Sequence, residues 1–198
     1  MISALVLAAG ESRRMGQTKQ LLEWGGKTIL RWVLDALQAS PVDEIILVVG
    51  HEGDRVAGTI SLSQVKTVFN PDFPQGMSTS LRRGLMAMDL RAEAFLVALA
   101  DQPAISPNLI DHLIGQYRNF YPEKKIAVPT WMGRRGHPVL FARSYLDEFL
   151  GLTGDVGGRE ILARHPEDVL TVEAGSDGVL LDVDTPEDYQ KLSRRAGP

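Results

Sequence analysis

Ala4-Leu5-Val6-Leu7-Ala8-Ala9-Gly10-Glu11-Ser12-Arg13-Arg14-Met15-Gly16-Gln17-Thr18-Lys19 combines an apolar run with a loop of small and cationic residues. Ala4 to Leu7 is continuously apolar rather than alternating, which predicts a strand buried on both faces. At Ala8-Ala9-Gly10 the side chains nearly vanish, so a flat or anionic ligand can approach the backbone closely. Arg13, Arg14 and Lys19 follow, with Gly16 between them. A triphosphate requires such a site: free N–H groups from a bent backbone and positive side chains at its oxygens. Two other phosphate loops do not fit. The Walker pattern ends in Gly-Lys-Ser/Thr, whereas Gly16 is followed by Gln17-Thr18-Lys19. The dinucleotide loop needs Gly-x-Gly-x-x-Gly, and Gly10 has no partner two residues later.

Outward from this loop, apolar residues recur at Ile29, Leu30, Trp32, Val33, Leu34, Ala36 and Leu37, a helical stripe ending before Pro41. Glu44–Gly50 reads as a second buried strand, Gly53–Ile60 as a short helix and Val65–Phe69 as a third strand. Asn70–Met77, with two prolines and a glycine, is loop by composition. Ser78-Thr79-Ser80 is placed to cap a helix over Leu81–Leu90. Ala94–Ala100 is the most apolar strand and ends on Asp101. This alternation predicts an α/β fold: one Rossmann-like domain with a mostly parallel central sheet and helices on both faces. Ligands of such sheets bind outside the carboxyl ends of the strands. The first loop, the Gly50-His51 turn, the Asn70–Met77 loop and Asp101 all fall on that edge.

The second half is less regular. Helices are expected at Pro107–Phe120, Ser144–Leu150, after Gly154-Asp155-Val156-Gly157-Gly158, and from Pro186. Strands are expected at Ile126–Pro129, His137–Phe141, Val169–Val172 and Gly178–Val183. The last leads into Asp182-Val183-Asp184-Thr185-Pro186, and alternation points Asp182 and Asp184 the same way if the run stays extended. A carboxylate at the end of a strand, such as Asp101, can hold Mg²⁺ against phosphate oxygens, although taken alone it reads more simply as a capping or turn residue before Pro103.

With 198 residues the chain can bury one substantial core. A net charge of −4 leaves no broad basic excess for nucleic acid. The absence of cysteine excludes disulfides, thiolate metal sites and thiol nucleophiles. No apolar run reaches membrane-spanning length and no signal peptide is visible, so a cytoplasmic location is expected.

Leu7 to Gly10, Arg14-Met15-Gly16 and Lys19 together resemble the Leu-Ala-Ala-Gly-x-x-x-Arg-Met-Gly-x-x-Lys signature of Rossmann-like nucleotidyltransferases. The whole chain is similar to the molybdenum cofactor cytidylyltransferases, the MobA-like branch that transfers CMP. Gly133-x-x-Gly136-His137-Pro138-x-x-Phe141 and Gly154-Asp155-x-Gly157-Gly158-Arg159 narrow the branch further. Guanylyl-transferring relatives typically carry Gly where this chain has Ala9, which favours a pyrimidine nucleotide.

The resemblance implies CTP as substrate, Mg²⁺ as cofactor and a molybdopterin-type acceptor, with a molybdoenzyme or its chaperone as a possible partner. Its implied nucleotide contacts are Leu7, Ala8, Ala9, Gly10, Arg14, Lys19, Gly76, Ser80 and Asp101, of which Arg14, Lys19 and Asp101 are catalytic. Asp101 and Asp184 are the implied metal ligands, with Asp182 the alternative to the second. His137, Pro138, Gly157 and Arg159 are implied to shape the acceptor side. Residues 1–105 would then form a nucleotide-binding half and 106–198 an acceptor-binding half. The alternatives are another phosphorylated acceptor, another nucleotide donor, a module that only binds and delivers cofactor, or an NAD(P)H-dependent oxidoreductase using the same cleft.

Overall fold

The apolar run at the start of the chain forms β1 (Ile2–Ala8), buried along almost its whole length. A small hairpin of β2 (Glu23–Trp24) and β3 (Lys27–Thr28) leads into α1 (Ile29–Gln38). Then come β4 (Glu44–Val49), α2 (Gly53–Gly58), β5 (Val65–Phe69), α3 (Met77–Met86) and β6 (Ala94–Leu99). The second half contains α4 (Pro107–Phe120), β7 (Ile126–Trp131), β8 (Arg134–Arg135), β9 (Val139–Ala142) and α5 (Leu146–Leu150). It ends with α6 (Gly158–Arg164), β10 (Val169–Glu173) and α7 (Pro186–Ser193). The structure, a computed structural model, describes residues 1–60 and 64–195. Among them no helix is long and apolar enough to cross a membrane.

The main sheet runs β10-β7-β9-β6-β1-β4-β5, with β8 added against β7. Every pairing along that order is parallel except those of β9, which opposes both β6 and β7. The sheet is thus mostly parallel, as expected, with β9 and the two-residue β8 reversed. Strands buried along their whole length need cover on both faces. The helices supply it in two packed groups, α1 with α4, and α3 with α5 and α6. From β1 the chain moves outward through β4 to β5, then returns to the other side of β1 at β6. A crevice opens at such a reversal, above the carboxyl ends of β1 and β6.

Local signals explain several boundaries. Thr28 caps α1 by accepting from the Arg31 amide at 3.2 Å. Ser106 caps α4 in the same way, with Pro107 in the first turn, where its missing N–H costs nothing. Thr185 and Asp188 form a reciprocal capping box at α7.

Two expectations are corrected. The expected strand at Gly178–Val183 is a 3₁₀ turn over Asp177–Leu180 followed by irregular chain. Val179 and Val183 are buried, but outside any ladder. Val179 O accepts from His137 N at 3.1 Å, and Val183 N donates to Asp101 O at 3.1 Å. A Cβ on Gly178 would collide with the Ala104 carbonyl. The segment therefore crosses the ends of the strands instead of joining them. The second correction concerns α3, which spans Met77–Met86 and not Leu81–Leu90, so Ser78-Thr79-Ser80 lie inside its first turn. Its capping comes from a distant loop: the Asp155 carboxylate accepts from Met77 N and Gly154 O from Ser78 N, both at 3.2 Å.

Phe95 on β6, Phe141 on β9 and Phe149 on α5 join the two halves of the core. Their ring centroids lie 4.8–5.6 Å apart, and all three are essentially inaccessible to solvent. Phe149 meets both other rings edge-on. Phe149→Ala should lower the unfolding free energy by about 3–5 kcal/mol in urea titrations, the usual range for a buried phenylalanine. A loss below about 1 kcal/mol would show that the trio does not bind the halves together.

Candidate active site

Strand β1 ends at Ala8, and the loop that follows is held by its own backbone and by distant anchors. Ser12 adopts a left-handed conformation (φ 52°), and its carbonyl accepts from Met15 N at 2.9 Å and Gly16 N at 3.2 Å. Gly16 is also left-handed (φ 71°), where a Cβ would be strained. Met15 is buried in a small apolar cluster with Trp24, Ile29, Val183 and Leu192, which directs Arg14 outward. Gln20 reaches back to Ala8 O at 3.4 Å, and Thr18 donates to Glu52. The Ala9 carbonyl accepts from His51 N at 3.1 Å, which ties this loop to the turn after β4.

Above the strand ends lies an open cleft of about 690 Å³. One wall is the first loop, with Leu7, Ala9, Gly10, Arg14 and Lys19. The facing wall carries Phe73, Gly76, Met77, Ser80 and Asp155, and the floor carries Asp101, Asp182 and Asp184. Asn70, fully buried, donates to the hydroxyls of both Thr79 and Ser80 at 2.9 Å. Gly76 (φ 113°) packs directly on the Gly154–Asp155 backbone, where no side chain fits.

Charge converges on the floor. The Lys19 ammonium donates to Asp101 and, at 2.7 Å, to Asp184 Oδ1. Arg14 donates to Asp184 Oδ2 at 2.9 Å. Burial opposes the charged form of Lys19, but the two carboxylates outweigh it and hold the ammonium above its usual pKa. Burial likewise opposes ionisation of Asp184, yet Lys19 and Arg14 hold it below the usual carboxylate range. Asp182, although exposed, is pushed up by partial desolvation at the cleft floor and by its acidic neighbours Asp101 and Asp184, with a Gln102 hydrogen bond partly offsetting this. Asp101 Oδ1 is buried without a hydrogen-bond partner among the described residues. An all-oxygen set with one such unmatched oxygen fits a hard divalent cation.

A family model described as the MobA-like NTP transferase domain matches residues 4–169. The chain belongs to that family. Among its MobA-like relatives, the molybdenum cofactor cytidylyltransferase of Escherichia coli is 30% identical over 98% of this chain and 96% of its own. The nicotine blue oxidoreductase of Paenarthrobacter nicotinovorans is 27% identical over 96% of each. Among solved structures, the manganese complex of Rv0371C from Mycobacterium tuberculosis superposes with a TM-score of 0.80. It is 30% identical and covers 98% of this chain and 99% of its own.

The MobA-like fold brings together most of the residues singled out in the sequence. Leu7, Ala9, Gly10, Arg14, Lys19, Gly76, Ser80, Asp101, Asp182 and Asp184 share the cleft. Ala8 stands behind its wall, 1% exposed, with its carbonyl engaged by Gln20. His137, Pro138, Gly157 and Arg159 do not line it. The His137 imidazole is held below its usual pKa by burial, with Arg159 adding to the effect and Asp101 opposing it. Gly157 packs behind Met77, and Arg159 is exposed. Sequence reading missed Asn70, Phe73 and Gln102 as organisers of the cleft. Asp155 had a signal, since it sits in the Gly154–Arg159 stretch, but its contact with α3 did not.

Two glycines separate structural from open positions. Gly76→Ala should destabilise by about 2 kcal/mol or more, through strain at positive φ and overlap with residues 154–155. A Cβ added at Gly10 would meet nothing within 4 Å, so Gly10→Ala should stay within about 0.5 kcal/mol of the unaltered protein. Paired thermal melts test this, and equal melting temperatures for the two variants would contradict it.

Proposed function

We propose that this protein transfers CMP from CTP to the terminal phosphate of a molybdopterin-type acceptor, releasing pyrophosphate. The observation that carries the reading is the meeting of Lys19, Arg14, Asp101 and Asp184 at the floor of an open cleft edged by bare backbone at Gly10. The choice of CTP and of the pterin acceptor is supported by the full-length similarity to the Escherichia coli cytidylyltransferase.

The acceptor is a phosphate monoester with a second pKa near ~6, mostly a dianion at neutral pH. It therefore needs no strong general base, and no nucleophilic side chain is required of the cleft. An acceptor oxygen forms a bond to the α-phosphorus as the bond to the bridging oxygen of pyrophosphate breaks. Such a displacement needs alignment and neutralisation of charge at the phosphates. Lys19 and Arg14 provide positive charge on the first loop. Asp101 and Asp184 would hold Mg²⁺, which supplies Lewis-acid neutralisation of phosphate oxygens. Gly76 and Ser80 would meet the base or ribose; the Ser80 hydroxyl accepts from Asn70, leaving its proton to donate. Residues 1–105 would supply most of the nucleotide wall, and the acceptor would approach past the segments that carry His137, Pro138, Gly157 and Arg159, outside the cleft lining itself. A molybdoenzyme or its chaperone would receive the product.

The oxidoreductase named among the relatives suggests a second reading. Hydride transfer to or from a nicotinamide gives the paired carboxylates and Lys19 no task, so nucleotidyl transfer is preferred. Reduction of a dye by NADPH without CMP transfer would reverse that preference.

Asp101→Asn and Asp184→Asn should each remove most CMP transfer while retaining the melting cooperativity of the unaltered protein. Lys19→Ala should cost about 2–4 kcal/mol in the transition state, a large drop in kcat. Near-normal turnover by either aspartate variant at limiting Mg²⁺ would exclude that residue as a ligand, and an inactive Asp182→Asn alone would shift the assignment to Asp182.

Nucleotide choice can be tested separately. An unpaired buried polar group in the wrong complex costs roughly 1–3 kcal/mol. CTP should therefore be preferred over GTP by at least about fivefold in competition assays with acceptor. Equal use of GTP by the unaltered protein would refute the cytidylyl assignment while leaving nucleotidyl transfer intact.

A further inference from the structure

The space between Asp101 and Asp184 contains a cation of the protein's own. Lys19 Nζ donates to Asp101 Oδ2 and to Asp184 Oδ1. The side chains of Lys19 and Asp101 are each only 15% exposed, so solvent screens their attraction weakly. Three carboxylates, Asp101, Asp182 and Asp184, face one floor, and without a cation among them they would repel one another. Arg14 does not fill this role for Asp101. It reaches only Asp184, on its outer oxygen, from a side chain that is 69% exposed.

A divalent ion held by Asp101, through its unmatched Oδ1, and by Asp184 would crowd against carboxylates that Lys19 already engages on Asp101 Oδ2 and Asp184 Oδ1. An ammonium and a divalent ion crowded onto the same pair of carboxylates repel each other, and each weakens the other's binding. Lys19 has a way to leave. Its backbone is fixed at the start of a 3₁₀ turn, with its amide 3.3 Å from Ser12 Oγ, but its four-carbon stem is flexible. Triphosphate oxygens in the cleft would offer the ammonium a second anionic partner along the same wall.

We infer that Lys19 is the resident counter-cation of the metal seat, and that divalent metal and nucleoside triphosphate enter the cleft together. In the free protein Lys19 neutralises Asp101 and Asp184 and keeps metal affinity low. The arriving triphosphate draws the ammonium off the carboxylates and opens them to the ion. The same side chain thereby serves before and after binding, first as a substitute for the metal and then as a phosphate contact. This inference rests on the reading of Asp101 and Asp184 as metal ligands.

The test is a Mn²⁺ titration in which free ion is counted by electron paramagnetic resonance, with and without a non-hydrolysable CTP analogue. Lys19→Met should bind Mn²⁺ in the absence of nucleotide about tenfold or more tightly than the unaltered protein, since a like charge has been removed from the seat. Lys19→Arg, which keeps the cation, should bind it as weakly as the unaltered protein. Mn²⁺ alone should raise the Tm of Lys19→Met and leave that of the unaltered protein nearly unchanged. Lys19→Gln serves in place of Lys19→Met if the latter does not melt cooperatively.

Equal Mn²⁺ affinity in Lys19→Met and the unaltered protein would overturn the counter-cation role. It would leave the metal site standing if Asp101→Asn abolishes the extra Mn²⁺ bound with analogue over that bound by analogue alone. If Asp101→Asn binds that ion as well as the unaltered protein, the metal reading itself fails, and the inference with it.

Discussion

The bridge from the Lys19 ammonium to Asp101 and Asp184 joins positions separated by 82 and 165 residues of chain. Removing one partner leaves the other charge uncompensated in a site that solvent screens only in part. The geometry that brings these groups together is apolar as much as ionic. Met15 and Val183 enter the same small cluster around Trp24, Ile29 and Leu192. Their neighbours Arg14, Asp182 and Asp184 are thereby turned toward the cleft. The two sides of the joint support each other: the buried residues set the backbone, and the charges hold its exposed edge closed.

The opposite wall follows another principle. Its residues are held by hydrogen bonds from the Asn70 amide and to the Asp155 carboxylate, and by the absence of side chains. Asn70 spans the first turn of α3 through Thr79 and Ser80, while the Asp155 carboxylate occupies the amide at the start of the helix. Gly76 lets the Gly154–Asp155 backbone approach as closely as it does. A rigid sheet presents both walls through short loops, which is how α/β folds commonly vary their ligands without changing their cores.

That separation of scaffold from site also explains the range of names among full-length relatives. A cytidylyltransferase and an oxidoreductase each align with nearly the whole chain at about the same identity. Fold alone therefore cannot choose between them. The floor of the cleft favours transfer, since paired carboxylates with a shared ammonium answer a need of phosphoryl chemistry that hydride transfer does not have.

The sequence by itself determined the buried parallel strands β1, β4 and β6, because continuous apolar runs can be satisfied only between two covering layers. It also determined the start of α4, where Ser106 and Pro107 act within one turn of the residues they serve. Lys19, Asp101 and Asp184 were legible as separate candidates, each attached to a recognisable local pattern. Their contact was not, nor was the part played by Gln102 and Asn70. The reversed direction of β9 is absent from its apolar pattern, since a buried strand reads the same either way. The start of α3 depends on a carboxylate 78 residues away. The run at Gly178–Val183 became a crossing segment because Ala104, His137 and Asp101 supplied its packing and hydrogen bonds. Local patterning decides which residues must be buried or capped; only tertiary structure decides which distant atoms satisfy them, because those partners become neighbours only once the sheet has formed.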